Sequence, residues 1–197
     1  MANTDKSLIE AHCAGDRAAF GELVRRYGDS VLGYLVRMTG NLEQAEDLFQ
    51  ETFTRVHEKA HTFRGTAFKS WLFTIATRVA IDGLRRAKRR PVFSLDAPSG
   101  GCSDGHCGRS ATAEIPADCS DPSEEAISAE QKHQVRRALD QLPPRQRATL
   151  VLVYYQQLSY PEAAKALGCS AGTVKAQMSR ALRTLARTLP DISGVAG

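Results

Sequence analysis

The stretch from Pro91 to about Ser123, PVFSLDAPSGGCSDGHCGRSATAEIPADCSDPS, limits the possible folds more than any other part of this chain. It is rich in Gly, Ser, Pro and Asp and has no sustained apolar period. Such a composition cannot bury enough surface to offset the entropy of ordering it. It reads as a flexible linker over residues 91–123, dividing the 197 residues into two units, 1–90 and 124–190. On both sides apolar residues recur at helical spacing and β-branched runs are scarce, so the expected class is all-α, two small helical domains. A hydrophobic content of 42% allows each unit a core.

In the first unit a short helix over Ser7–Ala14 is broken at Gly15-Asp16. Asp16 can cap a longer helix whose apolar positions run from Phe20 through Leu35 to Met38, ended by Gly40-Asn41. A third helix is expected from Leu42 to about Lys59, with Ala45, Leu48, Phe49, Thr52, Phe53 and Val56 inward. A fourth runs from about Phe68 to Lys88 and buries Trp71, Leu72, Ile75, Val79 and Leu84. In the second unit Asp121-Pro122-Ser123-Glu124 signals a helix start, and that helix reaches about Gln141. After Pro143-Pro144 another helix is expected from about Arg145 to Tyr155.

The segment Leu158–Leu189 then reads as two short helices around a turn at Gly168, with Ser170 as cap of the second. Val174, Met178, Ala181, Leu182, Leu185 and Leu189 would bury one side of it. Thr173, Lys175, Gln177, Arg180, Arg183 and Arg187 occupy the other. That layout suits a helix-turn-helix with its second helix in the DNA major groove. A plain helical hairpin with a solvated basic face is the blander reading.

Net charge is only +4, so its distribution matters more than its sum. Glu43, Glu46, Asp47, Glu51 and Glu58 make the third helix acidic. Arg78, Arg85, Arg86, Lys88, Arg89 and Arg90 gather at the end of the fourth, more cations than a helix C-terminus requires and enough to neutralise several phosphates. Between the two, His61-Thr62-Phe63-Arg64-Gly65-Thr66-Ala67-Phe68-Lys69-Ser70-Trp71 interleaves rings with cations, which suits single-stranded DNA. Phe68 and Trp71 fit the core better; Phe63 and Arg64 are expected to be exposed.

No window is long and apolar enough to cross a bilayer, and the N-terminal residues carry no secretory pattern, so a cytoplasmic protein is expected. Five cysteines show no disulfide framework. Cys102, His106, Cys107 and Cys119 could supply zinc ligands or a thiol switch, but the spacing is irregular and no Cys-x2-Cys pair is present. Reduced thiols on a tether, with no metal and no cofactor, are the preferred reading.

Three blocks of the first unit resemble region 2 of bacterial extracytoplasmic-function sigma factors: Glu46-Asp47-Leu48-Phe49-Gln50-Glu51-Thr52-Phe53, Phe63-Arg64-Gly65, and Trp71-Leu72-Phe73-Thr74-Ile75-Ala76. Leu142-Pro143-Pro144-Arg145-Gln146-Arg147, Leu158-Ser159-Tyr160 and Gly172-Thr173-Val174-Lys175 resemble region 4. The resemblance implies that Asp47, Gln50, Glu51 and Phe53 dock on the β′ clamp helices of core RNA polymerase. It implies −10 promoter recognition and melting, with capture of a flipped base, by the loop and helix that follow. Phe63, Arg64, Lys69, Arg78, Arg85, Arg86 and Lys88 are the candidate residues there. Region 4 would bind the −35 duplex through Thr173, Lys175, Gln177, Arg180 and Arg183, and would also touch the β flap. Many members of the family are held inactive by an anti-sigma factor, a further expected partner that this sequence does not identify.

Three departures stand out. The segment from Gly65 to Trp71 is one residue shorter than the common pattern, and the linker is long. Gln177 stands where a basic residue is frequent, which favours adenine over guanine through a bidentate amide contact. The expectation is therefore a non-enzymatic sigma subunit. An ordinary helix-turn-helix regulator is the alternative, although it would need neither the acidic helix nor the aromatic-basic loop. A Cys/His metalloenzyme fits less well.

Overall fold

A computed structural model describes residues 4–65, 67–89 and 134–188. The linker residues, the Asp121-Pro122 start signal and Leu189 lie outside them. Among the described residues every regular element is helical.

Helix α1 (Asp5–Cys13) starts at Thr4, whose hydroxyl accepts the Ser7 amide. The carboxylate of Asp16 caps α2 (Arg17–Thr39) by accepting the Ala18 and Ala19 amides. Asn41 caps α3 (Leu42–Lys59) in the same way. A short 3-10 turn, Ala60–Thr62, leads to α4 (Phe68–Arg89). Helix α5 covers residues 134–140. Helix α6 (Pro144–Leu150) runs on into a π-turn at Val151–Tyr155. That turn interrupts the single helix expected from Arg145 to Tyr155.

The hairpin follows as α7 (Tyr160–Leu167) and α8 (Ala171–Thr188). Gly168 closes α7 with φ of 63°, a conformation that costs a residue with a Cβ dearly. The Ser170 hydroxyl accepts the Thr173 amide and starts α8. A reciprocal cap at the start of α7, not foreseen from the sequence, pairs Ser159 with Glu162. Val174, Met178 and Ala181 are buried as expected, but Leu182 is 52% exposed. It lies on the far shoulder of α8, where the apolar pattern overran the width of the contact.

In the first half α2, α3 and α4 pack on one another and α1 covers the start of the bundle. The α3–α4 contact is close: a Cβ on Gly83 would lie 2.8 Å from Leu48 Cδ2. Tyr34 is fully buried and its hydroxyl meets Thr77 Oγ1 at 2.9 Å.

The two halves also pack against each other, which the sequence did not indicate. One apolar core runs from Leu23, Leu35 and Phe73 into Val151, Leu158, Ala163 and Val174. The rim of this seam is polar. Arg147 donates to the Met38 carbonyl at 2.6 Å and to the Asp140 carbonyl at 2.7 Å. Gln156 donates to the Ser30 carbonyl, and the Arg37 guanidinium lies 4.2 Å over the Tyr155 ring. Burial pulls the Arg147 guanidinium below its ordinary range, partly opposed by Asp140 at 3.0 Å.

Tyr34→Phe leaves the buried Thr77 hydroxyl without this partner and should lower unfolding free energy by about 1–2 kcal/mol in urea titrations. Ser159→Ala should cost about 1 kcal/mol through loss of the α7 cap. The two Ser159 donors also hold the Glu162 carboxyl below its ordinary value of 4.5. As pH falls, the unfolded chain takes up this proton first. The stabilisation is therefore whole above about pH 4.5 and is lost as the pH drops through the lower folded value. Glu162→Gln should flatten that part of the acid limb in a stability–pH profile.

Candidate nucleic-acid interface

Helix α3 presents Asp47 and Gln50 to solvent. Glu51 is not free in the same way. Its carboxylate lies 2.5 Å from Arg55 and 2.9 Å from Arg86 of α4, so the acidic helix and the basic helix partly neutralise each other. Phe53 is 7% exposed, edge-on to Phe20 and tilted against Phe49. It falls on the same arc as Leu48, Thr52 and Val56 and packs in the core, unlike the exposed Asp47 and Gln50.

Past the C-terminus of α3 the chain folds back and leaves a cleft of about 630 Å³ between α3 and α4. Arg55, Lys59, His61 and Thr62 form one wall, and Trp71, Thr74, Ile75 and Arg78 the other. The volume is within the range of small-ligand sites. Lys59, Arg78 and Arg55, the last in its ion pair with Glu51, line the cleft with an indole that is only half-buried. A ring next to cations can stack an unpaired base while the charges hold its phosphates.

The aromatic loop is more tightly packed than expected. Phe63 is half-buried, with its ring 5.8 Å from Phe68 and 5.4 Å from Trp71. It therefore braces the cleft from behind instead of standing open. Arg64 is exposed and donates to the His61 carbonyl at 3.0 Å.

Lys69 parts company with the other candidates. It is nine positions from Arg78, and at 3.6 residues per turn the two lie on opposite sides of α4. Its ammonium donates to the Gln156 carbonyl at 2.7 Å, against the second half of the chain. Arg78, Arg85 and Lys88 are exposed; Arg85 lies 3.8 Å from Asp82, and Arg86 is engaged with Glu51.

On α8, Lys175, Arg180 and Arg183 are exposed. Thr173 is exposed too, with its hydroxyl 2.9 Å from that of Ser170. Gln177 differs from these: it is half-buried, and its amide oxygen accepts a hydrogen bond from the buried Thr149 at 2.6 Å.

The sequence reading missed Arg55, Lys59 and Thr74 as members of the cleft. A signal was present. Arg55 and Lys59 are four apart, and Trp71, Thr74, Ile75 and Arg78 follow the i, i+3, i+4, i+7 rule of a single helix face. Among the described residues no three His, Cys, Asp or Glu side chains gather as metal ligands. Cys102, His106, Cys107 and Cys119 lie outside that set. No helix among the described residues is long and apolar enough to cross a membrane.

Comparison with known proteins gives the family. Residues 23–90 match the family Sigma-70 region 2, and residues 132–185 match Sigma-70, region 4. The ECF RNA polymerase sigma factor SigW of Bacillus subtilis is 33% identical over 188 residues, covering 95% of this chain and 97% of its own. The ECF sigma factor SigM of Mycobacterium tuberculosis is 37% identical, covering 94% of this chain and 85% of its own. Two solved structures share the fold. CnrH in complex with the cytosolic domain of CnrY has a TM-score of 0.66 at 22% identity, covering 95% of this chain and 98% of that one. RpoE of Bartonella quintana, solved with the anti-sigma factor NepR, has a TM-score of 0.62 at 24% identity, covering 88% and 98%. The chain therefore belongs to the ECF sigma factors of the sigma-70 family, subunits that bind core RNA polymerase and direct promoter-specific initiation of transcription.

Proposed function

We propose that the cleft between α3 and α4 is where this sigma factor captures an unstacked base of the −10 element. The observation that carries this reading is the open stripe of α4, which puts Trp71 and Arg78 opposite Arg55 and Lys59. Unstacking costs a few kcal/mol, which ring stacking and phosphate contacts together can offset. Arg64, Arg85 and Lys88 extend the positive surface along the strand. Asp47 and Gln50, both open to solvent, dock α3 on the β′ clamp helices. The exposed cations of α8 bind the −35 duplex. Region 4 also meets the β flap.

The −10 and −35 elements are about 25 base pairs apart, or roughly 85 Å of duplex at 3.4 Å per pair. Two small helical domains packed on one core span less than half of that. The halves therefore part when both elements are engaged, and Lys69, released from the Gln156 carbonyl, becomes available to DNA. The roughly 44 residues between α4 and α5 can reach across at about 3.3 Å each. The protein works in the cytoplasm, performs no covalent chemistry itself, and is regulated by an anti-sigma partner; RpoE was solved in complex with the anti-sigma factor NepR.

Run-off transcription with purified core polymerase tests the whole reading. Promoter-specific initiation is expected, and its absence would sink the proposal. Asp47→Ala should weaken binding to core about tenfold, on the order of 1.4 kcal/mol, with DNA contacts unchanged. Arg78→Ala should lower the salt slope of single-strand binding by about 0.7, the loss of one phosphate contact. Arg180→Ala should instead lower the duplex slope by about 0.9 and leave single-strand binding alone.

A further inference from the structure

Gln177 sits at the border of the exposed and buried faces of α8. Thr173 and Arg180, one turn away on either side, are open to solvent, while its neighbours Val174, Met178 and Ala181 are buried. Across the domain, Thr149 of α6 is fully buried. Its hydroxyl proton is shared between the Arg145 carbonyl at 2.8 Å and the Gln177 amide oxygen at 2.6 Å. The oxygen end of the amide is thus drawn toward the core, and the NH2 end is left as the part that can project toward DNA.

This changes what the side chain can read. A bidentate contact with adenine needs both ends of the amide at the base edge, one donating to N7 and one accepting from N6. With its oxygen held by Thr149, Gln177 presents a donor alone. A lone donor can still reach adenine N7, but it then lies beside the N6 amino group and forgoes the second contact that makes adenine the partner of a free amide. Guanine offers two acceptors in the major groove, and thymine offers O4.

We propose that Thr149 is a positioning residue that sets the base preference of α8 through Gln177, directing it to a guanine or thymine edge and away from adenine. The proposal rests on the reading that α8 binds the −35 duplex. No DNA need touch Thr149 itself.

The test is selection of short duplexes, randomised over one helical turn, by the full-length chain and its variants. The wild-type chain should enrich guanine or thymine at one position. Thr149→Val frees the amide and should shift that position toward adenine by about tenfold, the discrimination of one good base contact. Neighbouring positions and the salt slope should not move. Thr149→Ser, which keeps the hydroxyl, should restore the wild-type choice and guards against a folding defect in the valine variant. Gln177→Ala should erase the preference at that same position only. The proposal is overturned if Thr149→Val selects the wild-type base, if its effect spreads over every position, or if Gln177→Ala leaves the preference intact. Enrichment of no sequence by the wild-type chain would overturn the assignment of α8 to duplex DNA, and this proposal with it. Enrichment that Arg180→Ala weakens would uphold that assignment, so that the Thr149 variants alone decide the proposal.

Discussion

Helix α4 has to bury more than half of its circumference, and the rest of the molecule is arranged to let it. Phe68, Leu72, Phe73, Ile75, Ala76, Thr77, Val79, Ala80 and Gly83 are all buried, well beyond the stripe of an ordinary surface helix. One neighbour cannot cover so wide an arc. Helices α2 and α3 take part of it, drawn close where Gly83 meets Leu48, and α7 from the other half takes part of what remains. What is left uncovered is the narrow line of Trp71, Thr74 and Arg78. The cleft is the part of α4 that packing did not consume.

The same constraint accounts for the seam between the halves. Apolar burial brings α7 onto α4, but the edge of the contact is made of single hydrogen bonds from Arg147, Gln156 and Lys69 to backbone carbonyls. Among the described residues, Arg147 Nε and Gln146 Oε1 are buried without a hydrogen-bond partner. When the halves part, each of these hydrogen bonds is replaced by one to water, at a net cost of only about 0.5–1.5 kcal/mol. A domain contact with such a rim suits association that is reversible. The charges of region 2 follow a similar logic. Glu51 is paired with Arg55 and Arg86, which leaves Glu43, Glu46, Asp47 and Glu58 as the exposed acidic residues of α3.

Much of this was legible from residues alone. Asp16 and Ser170 cap their helices through local hydrogen bonds, which need no knowledge of the fold. Gly168 marks its turn for the same reason. The exposed cations of α8 follow from helical period. What was not legible shares one cause, since each case concerns a side chain whose environment is set by another element. Phe53 was assigned to both the core and a partner, and packing with Phe20 puts it in the core. Lys69 was named with Arg78 among the −10 candidates, and helix geometry puts the two on opposite sides of α4, with Lys69 against Gln156. Leu182 was counted as apolar and inward, yet nothing packs over it closely enough.

The sequence by itself determined most of the helices, the caps at Asp16 and Ser170 and the family motifs, because these rest on local hydrogen bonding and on periodicity along a single segment. Tertiary structure alone decided which faces of those helices stay open. It joined the two halves through α4 and α7, assembled the Arg55–Trp71–Arg78 cleft from separate helices, and tied Gln177 to Thr149. Burial and hydrogen bonding between residues distant in the chain are properties of a pair of surfaces, and neither surface carries the other's address in its own pattern.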